Sequence, residues 1–242
     1  MSDGLLLIHA FPVDHRMWDG QRLGPNTIAP DLPGFGGSDP PPEGVTSMQA
    51  AADRCLRAAD DAGLERLVVC GLSMGGYVAL ELWRRTPDRI AGLVLANTRA
   101  SADTPDAREA RLALARRLRR EGNVLAASPP PLLGVRAPAV LAETVRGWIA
   151  DQSAGAIAAA ALGMAARPDS TADLPGIGVP TLVITSDLDT LIPPAVSAPM
   201  SHQIPGARLE VMQGAGHLSN LEAPDRFNAA LRDLCAVCGV QP

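Results

Sequence analysis

Short, nearly unbroken apolar runs recur along this chain, and between them lie stretches whose apolar positions follow helical spacing. Leu5-Leu6-Leu7-Ile8 is the first such run, followed by His9-Ala10-Phe11-Pro12 and a turn-rich stretch that closes on Met17-Trp18. Four apolar residues stopped by a histidine and a proline-broken bend predict a buried strand, Gly4 to His9, that ends in a loop. Thr27-Ile28-Ala29 predicts a second short strand, and Asp31 to Asp39 a loop dense in glycine, proline and serine. Met48, Ala51, Ala52, Cys55, Ala58, Ala59 and Ala62 recur at i, i+3, i+4. That spacing predicts a helix packed by one face, capped by Thr46 or Ser47 and stopped by Gly63. Further strands are predicted at Arg66 to Cys70, Ile90 to Ala96, Pro180 to Thr185 and Arg208 to Val211. Helices are expected from Met74 to Arg85, near Pro194 to His202 and from Pro224 to Cys238.

Strands that are apolar almost throughout, alternating with helices, predict a parallel sheet covered on both faces. The alternation lapses between Thr98 and about Gly178. There the pattern is helical only: a start at Thr104-Pro105, a break at Pro129-Pro130-Pro131, then Pro138 to Asp151 and Ala154 to Ala166. An all-helical insertion between two strands of a parallel sheet is a lid candidate. The expected division is a core of residues 1–98 and 174–242, with a lid of residues 99–173.

Composition narrows the function. At 242 residues, 47% hydrophobic, with net charge -5, the chain fits one sizeable α/β domain carrying an insertion. Only 3% of residues are aromatic and the balance is acidic, so nucleic acid is not the expected partner. The longest apolar-rich stretch, Ala154 to Ala166, is too short to span a bilayer, and no basic segment precedes the first strand. A cytoplasmic protein with no membrane partner is the expectation. All 21 cationic side chains are arginine, which excludes a Schiff-base lysine or a P-loop lysine. Cys235 and Cys238 have C-x-x-C spacing, but no second pair or neighbouring histidines complete a metal site. Buried structural thiols, with no metal and no cofactor, are expected.

Gly71-Leu72-Ser73-Met74-Gly75 matches G-x-S-x-G between an apolar strand and a helix, with Gly76 a further small residue. Such a turn lifts a serine hydroxyl above the sheet, and bulky neighbours would not fit it. The helix start also aims free N–H groups, including that of Met74, at charge developing beside Ser73. A serine hydroxyl needs a base, and the base an acidic partner. Of four histidines, His217 follows the last strand in a loop of small residues and is the candidate base; His15 and His202 read as surface residues. Asp187 and Asp189 both follow the strand before it. Asp189, four residues ahead of Pro193, is favoured as the acid, with Asp187 capping or bracing the loop. The order Ser, Asp, His is that of the α/β-hydrolases.

The chain resembles the α/β-hydrolase superfamily across essentially its whole length, on His9-Ala10-Phe11-Pro12, Asp31 to Ser38, Gly71 to Gly76, Asp189 and Gly214-Ala215-Gly216-His217. Arg89 to Thr98 and Gly216 to Glu222 further resemble the 3-oxoadipate enol-lactonase and carboxylesterase branch. The resemblance implies a second oxyanion donor, the backbone N–H of Phe11 opposite that of Met74, with Ala10 where relatives carry glycine. It implies a serine hydrolase of small carboxylic esters, lactones or thioesters that needs no cofactor. It also implies sister activities that share the triad, namely aminopeptidases, carbon–carbon hydrolases and cofactor-free haloperoxidases, and a non-catalytic ligand receptor of the same fold. Relatives usually open with two further strands, so a trimmed sheet of six is expected. In it the strand at Thr27 becomes an edge open to a neighbouring element or to a homodimer partner. Met17, Trp18, Trp148, Met164 and Leu191 are candidate walls of an apolar pocket. The run Arg116-Arg117-Leu118-Arg119-Arg120 reads as a solvated helix face or as a grip on an acidic substrate. His9 reads as a brace for its loop.

Overall fold

The computed structural model describes residues 2–242. Six parallel strands form one sheet: β1 (Ser2–Ile8), β2 (Thr27–Ile28), β3 (Leu64–Leu72), β4 (Ile90–Ala96), β5 (Thr181–Ser186) and β6 (Arg208–Met212). Their order is β2-β1-β3-β4-β5-β6. One row of the register runs Leu7, Cys70, Val94, Leu182, Arg208. Strand side chains alternate between two cores. Leu6, Ile8, Leu67, Val69, Leu93, Leu95 and Val183 face one, and Leu5, Leu7, Val68, Cys70, Val94 and Leu182 face the other. With both faces buried, the inner strands β1, β3, β4 and β5 run apolar over most of their length, whereas the edge strand β6 exposes Arg208 and Leu209.

Helices α1 (Met48–Asp61) and α2 (Met74–Arg85) cover the first face. As expected, Ser47 caps α1, its hydroxyl accepting the Ala50 N–H at 3.1 Å. Four helices lie between β4 and β5: α3 (Pro105–Glu121), α4 (Val124–Ala127), α5 (Ala139–Asp151) and α6 (Ala154–Ala165). After β5 the single helix expected near Pro194 is two single turns, α7 (Pro194–Ser197) and α8 (Met200–Gln203). Pro199 separates them, because it has no N–H to continue the ladder. The turn α9 (Ser219–Glu222) follows β6, and α10 (Pro224–Val237) closes the second core with Phe227, Leu231 and Leu234.

Two further placements matter. The Asn26 amide at the β2 edge donates to the Gln241 carbonyl at 3.3 Å, and Gly24 has no room for a Cβ against the Pro242 carbonyl. This edge is thus flanked by the chain's own end. The insertion is held down at α6, where the Ala159 carbonyl accepts the Thr46 N–H at 3.1 Å and a Cβ on Gly163 would run into the Thr46 carbonyl. Within it, the buried Asp103 carboxylate meets Arg111 at 2.6 Å and Arg167 at 2.8 Å, and the Arg167 guanidinium, 4.1 Å over the Tyr77 ring of α2, carries this cluster onto the core.

Candidate active site

The turn after β3 is strained at Ser73, between Gly71 and Gly75. Ser73 has φ 57° and ψ -113°, a left-handed conformation costly for a residue with a side chain. Neighbouring backbone holds it there: its N–H donates to the Ala96 carbonyl at 2.9 Å, and the Thr98 hydroxyl donates to its carbonyl at 2.7 Å. A Cβ on Gly71 would meet the Gly75 carbonyl, one on Gly75 the Ile8 carbonyl, and one on Gly76 the Thr98 side chain. Each small residue is therefore a close-approach position. Among the described residues, the N–H groups of Met74 and Phe11 have no acceptor. The Ser73 hydroxyl likewise makes no hydrogen bond to the protein, and such pairs often close only around substrate.

Asp189 and His217 meet above β5 and β6. His217 Nδ1 lies 2.8 Å from Asp189 Oδ2, both side chains buried. An ionised carboxylate only accepts, so Nδ1 carries the proton and Nε2 is left as the basic nitrogen. Asp189 Oδ1 accepts the N–H groups of Leu191 and Ile192, each at 2.9 Å. Burial alone would raise the Asp189 carboxyl. The hydrogen bond and charge of His217, with the Ile192 N–H and the Asn97 amide, outweigh it and hold the group below its ordinary range. Asp187 is exposed and accepts the Gly214 N–H at 2.7 Å, a brace between the two loops.

His9 is fully buried at the end of β1. Its Nδ1 donates to the Ala10 carbonyl and its Nε2 accepts the Leu32 N–H, both at 3.0 Å, and its edge meets Phe35. Desolvation lowers its pKa, which keeps the ring neutral and both bonds intact. Ala10 is not among the residues with positive φ, so alanine sits there without backbone strain. His15 pairs with Asp31 at 2.8 Å on the flank of the sheet, and His202 is exposed on α8.

The expected pocket walls divide. Trp18 has no exposed surface and tilts against Phe227 at 5.9 Å; Met17 is equally buried, its sulfur accepting the Ala10 N–H. Met164 is core as well, in contact with Arg111. These three belong to the packed interior: the short 3-10 helix His15–Gln21 buries Met17 and Trp18 in the second core against α10, and Met164 of α6 is buried in the first. Trp148 and Leu191 are only partly buried, and Arg16 lies 6.0 Å from the Trp148 ring. In the arginine run only Leu118 points inward. Arg116, Arg117 and Arg120 are exposed and pair with Glu109 and Glu121 on α3 itself, which makes the run a solvated face.

Sequence reasoning passed over two polar residues beside the pair. Asn97, fully buried with φ 45°, donates its amide to Asp189 Oδ2 and to Ser186 Oγ, each at 2.9 Å, and accepts the Ser219 hydroxyl at 2.7 Å. Glu222 accepts N–H groups from Gly134 and Gly216. The available signal was an asparagine directly after a wholly apolar strand.

A profile of the Alpha/beta hydrolase family matches residues 5–230. The chain belongs to that family. A thermophilic esterase from Thermogutta terrifontis shares this hydrolase's fold at TM-score 0.93 and 40% identity, over 98% of this chain and 91% of that one. The enol-lactonase from Burkholderia xenovorans LB400 matches at TM-score 0.86 and 28% identity, over 98% and 92%. A pimeloyl-[acyl-carrier protein] methyl ester esterase of Aromatoleum aromaticum is 29% identical over 95% of this chain and 97% of its own length. The chain spans 63% of another curated relative, the 29% identical dihydrolipoyllysine-residue acetyltransferase component of the acetoin cleaving system of Cupriavidus necator. Family and relatives place this hydrolase among the carboxylic-ester hydrolases. Among the described residues no helix is long and apolar enough to cross a membrane.

Proposed function

We propose that this hydrolase cleaves a small carboxylic ester or lactone through an acyl-enzyme on Ser73. The observation that carries the reading is the buried Asp189–His217 pair, set above strands β5 and β6 of the sheet whose strand β3 ends in the strained Ser73 turn. Ser73 attacks the carbonyl carbon while His217 Nε2 takes its proton. The N–H groups of Phe11 and Met74 receive the oxyanion, and Asp189 holds the imidazole in its tautomer and stabilises the imidazolium. His217 then passes the proton to the leaving alkoxide, and a water, deprotonated in turn by His217, releases the acid. Apart from that water, each step is carried by side chains and backbone of this chain.

The helices between β4 and β5 serve as the lid, residues 99–173, over a core of residues 1–98 and 174–242. Trp148 and Leu191 form the apolar wall for the acyl or alcohol group. The names of the relatives favour small esters and lactones over amides. The deciding experiment is a panel of short acyl nitrophenyl esters, enol-lactones and amino-acid anilides, run on the native protein and on Ser73→Ala. Loss of about 10³-fold or more in ester turnover in the variant is expected. Equal turnover by the two proteins would sink the mechanism, and binding without turnover would make the chain a ligand receptor.

A further inference from the structure

Between the insertion and the His217 loop, two backbone segments meet at glycines, Gly134 and Gly216, too close for either to carry a side chain. Gly134 lies beyond the Pro129-Pro130-Pro131 break, and Gly216 immediately precedes His217. A Cβ on Gly134 would come 3.0 Å from the Gly216 nitrogen and 3.1 Å from Glu222 Oε2, and one on Gly216 would collide with the Gly134 nitrogen. Glu222, on the single turn α9, inserts its carboxylate into this seam. Oε2 accepts the Gly134 N–H at 2.9 Å, and Oε1 accepts the Gly216 N–H at 2.8 Å. On the other side of His217, the Leu218 N–H donates to the Leu132 carbonyl at 2.9 Å.

His217 is therefore bracketed. The residue before it is tied to the insertion through Glu222, and the residue after it directly. Among the described residues no arginine pairs with Glu222. A partly buried carboxylate without a cation is costly unless donors satisfy it, and here backbone N–H groups do so. Burial pushes its carboxyl upward, the two N–H bonds oppose this, and the nearby Asp189 carboxylate adds to the rise. A glutamate that served only to cap its own turn would not span two other loops.

We propose that Glu222 is a positioning residue, a carboxylate clip that fixes the backbone around His217 to residues 132–134 of the insertion. Seating of the lid and alignment of the base are then one event. This rests on the reading of His217 as the base for Ser73.

The test compares native protein with Glu222→Gln, which keeps the shape but turns an NH₂ group toward one of the two N–H donors. Active sites are counted by labelling with a fluorophosphonate, turnover of a short nitrophenyl ester is expressed per labelled site, and amide exchange is followed at Gly134 and Gly216. The expected result is a kcat per site lower by about 10-fold, as for a base held slightly out of line, with KM within about 2-fold. Both amides should also exchange faster. A merely structural role would lower the number of labelled sites and leave kcat per site unchanged, which overturns the proposal. So does unchanged protection at both amides. Native protein that takes no label at Ser73 sinks the hydrolase reading and this inference together; labelled native protein with an unaffected variant sinks the inference alone. Should Glu222→Gln fail to fold, Gly134→Ala strains the same seam from the insertion side. The same loss per site is expected of it, and an unchanged kcat per site would overturn the clip.

Discussion

Asn97 and His217 reach the same oxygen of Asp189, the asparagine amide at 2.9 Å and the imidazole Nδ1 at 2.8 Å. The Ser219 hydroxyl donates to the other end of the asparagine amide, which fixes its orientation. The three residues Ala96, Asn97 and Thr98 thus hold the backbone of Ser73 on both sides and the acid in the middle. Removing a buried donor from a carboxylate should cost kcat/KM about 10-fold in Asn97→Ala. Asn97→Asp should be worse, because it sets a second carboxylate against the first and raises the pKa of Asp189. Asp189, depressed in the folded state, contributes stability above the ordinary carboxylate pKa and loses it as pH falls through the folded value. Acid unfolding followed by near-ultraviolet circular dichroism should therefore begin at higher pH in Asn97→Asp than in native protein.

Gly75 touches the Ile8 carbonyl so closely that no Cβ fits, and the His9 carbonyl would lie 3.1 Å from one. Gly75→Ala is expected to destabilise the fold by about 3 kcal/mol, because backbone must move on two elements. Gly147, exposed on α5 with nothing near its Cβ position, is the control. There Gly147→Ala should stabilise by roughly 0.5–1 kcal/mol. Thermal unfolding of the two variants measures both effects, and equal melting temperatures would contradict the packing argument.

His9 must stay neutral to accept the Leu32 N–H, and burial lowers its pKa to that end. The unfolded chain binds the proton first as pH drops below about 6.5, so this part of the stability is present above that pH and lost below it. Urea unfolding at pH 8 and pH 5 should show the loss in native protein. His9→Gln, which offers Leu32 an oxygen that does not titrate, should flatten that component.

The thiols should be inert in the folded protein. Burial pushes Cys55 to about 12 and Cys235 to about 11, and raises Cys70 and the less buried Cys238 as well. A thiol-reactive disulfide at pH 8 is expected to find all four cysteines only after denaturation. Rapid reaction of Cys235 with Cys238 in native protein would reopen a redox role for the pair.

The elements closest to the expected site were legible because local chemistry specifies them. The helix from Met74 to Arg85 and the strand from Ile90 to Ala96 fall where periodicity puts them, and the glycines of the Ser73 turn are each required by a close approach. Three expected pocket walls, Met17, Trp18 and Met164, are core instead, for one physical reason. Residue type marks a side chain as apolar, but whether it faces a pocket, a core or solvent depends on the element packed against it. For Trp18 that element is α10, more than two hundred residues away in sequence.

By itself, the sequence determined the parallel sheet, its helical insertion and the strained serine turn, since each is written in the spacing of apolar and small residues over a few turns of chain. Only the tertiary structure decided that Asp189 rather than Asp187 meets His217, that Asn97 holds that acid, and that Glu222 ties His217's loop to the insertion. Hydrogen bonds between loops at the ends of different strands are set by distance and direction in space. A polar residue in a loop carries no periodicity that would name its partner.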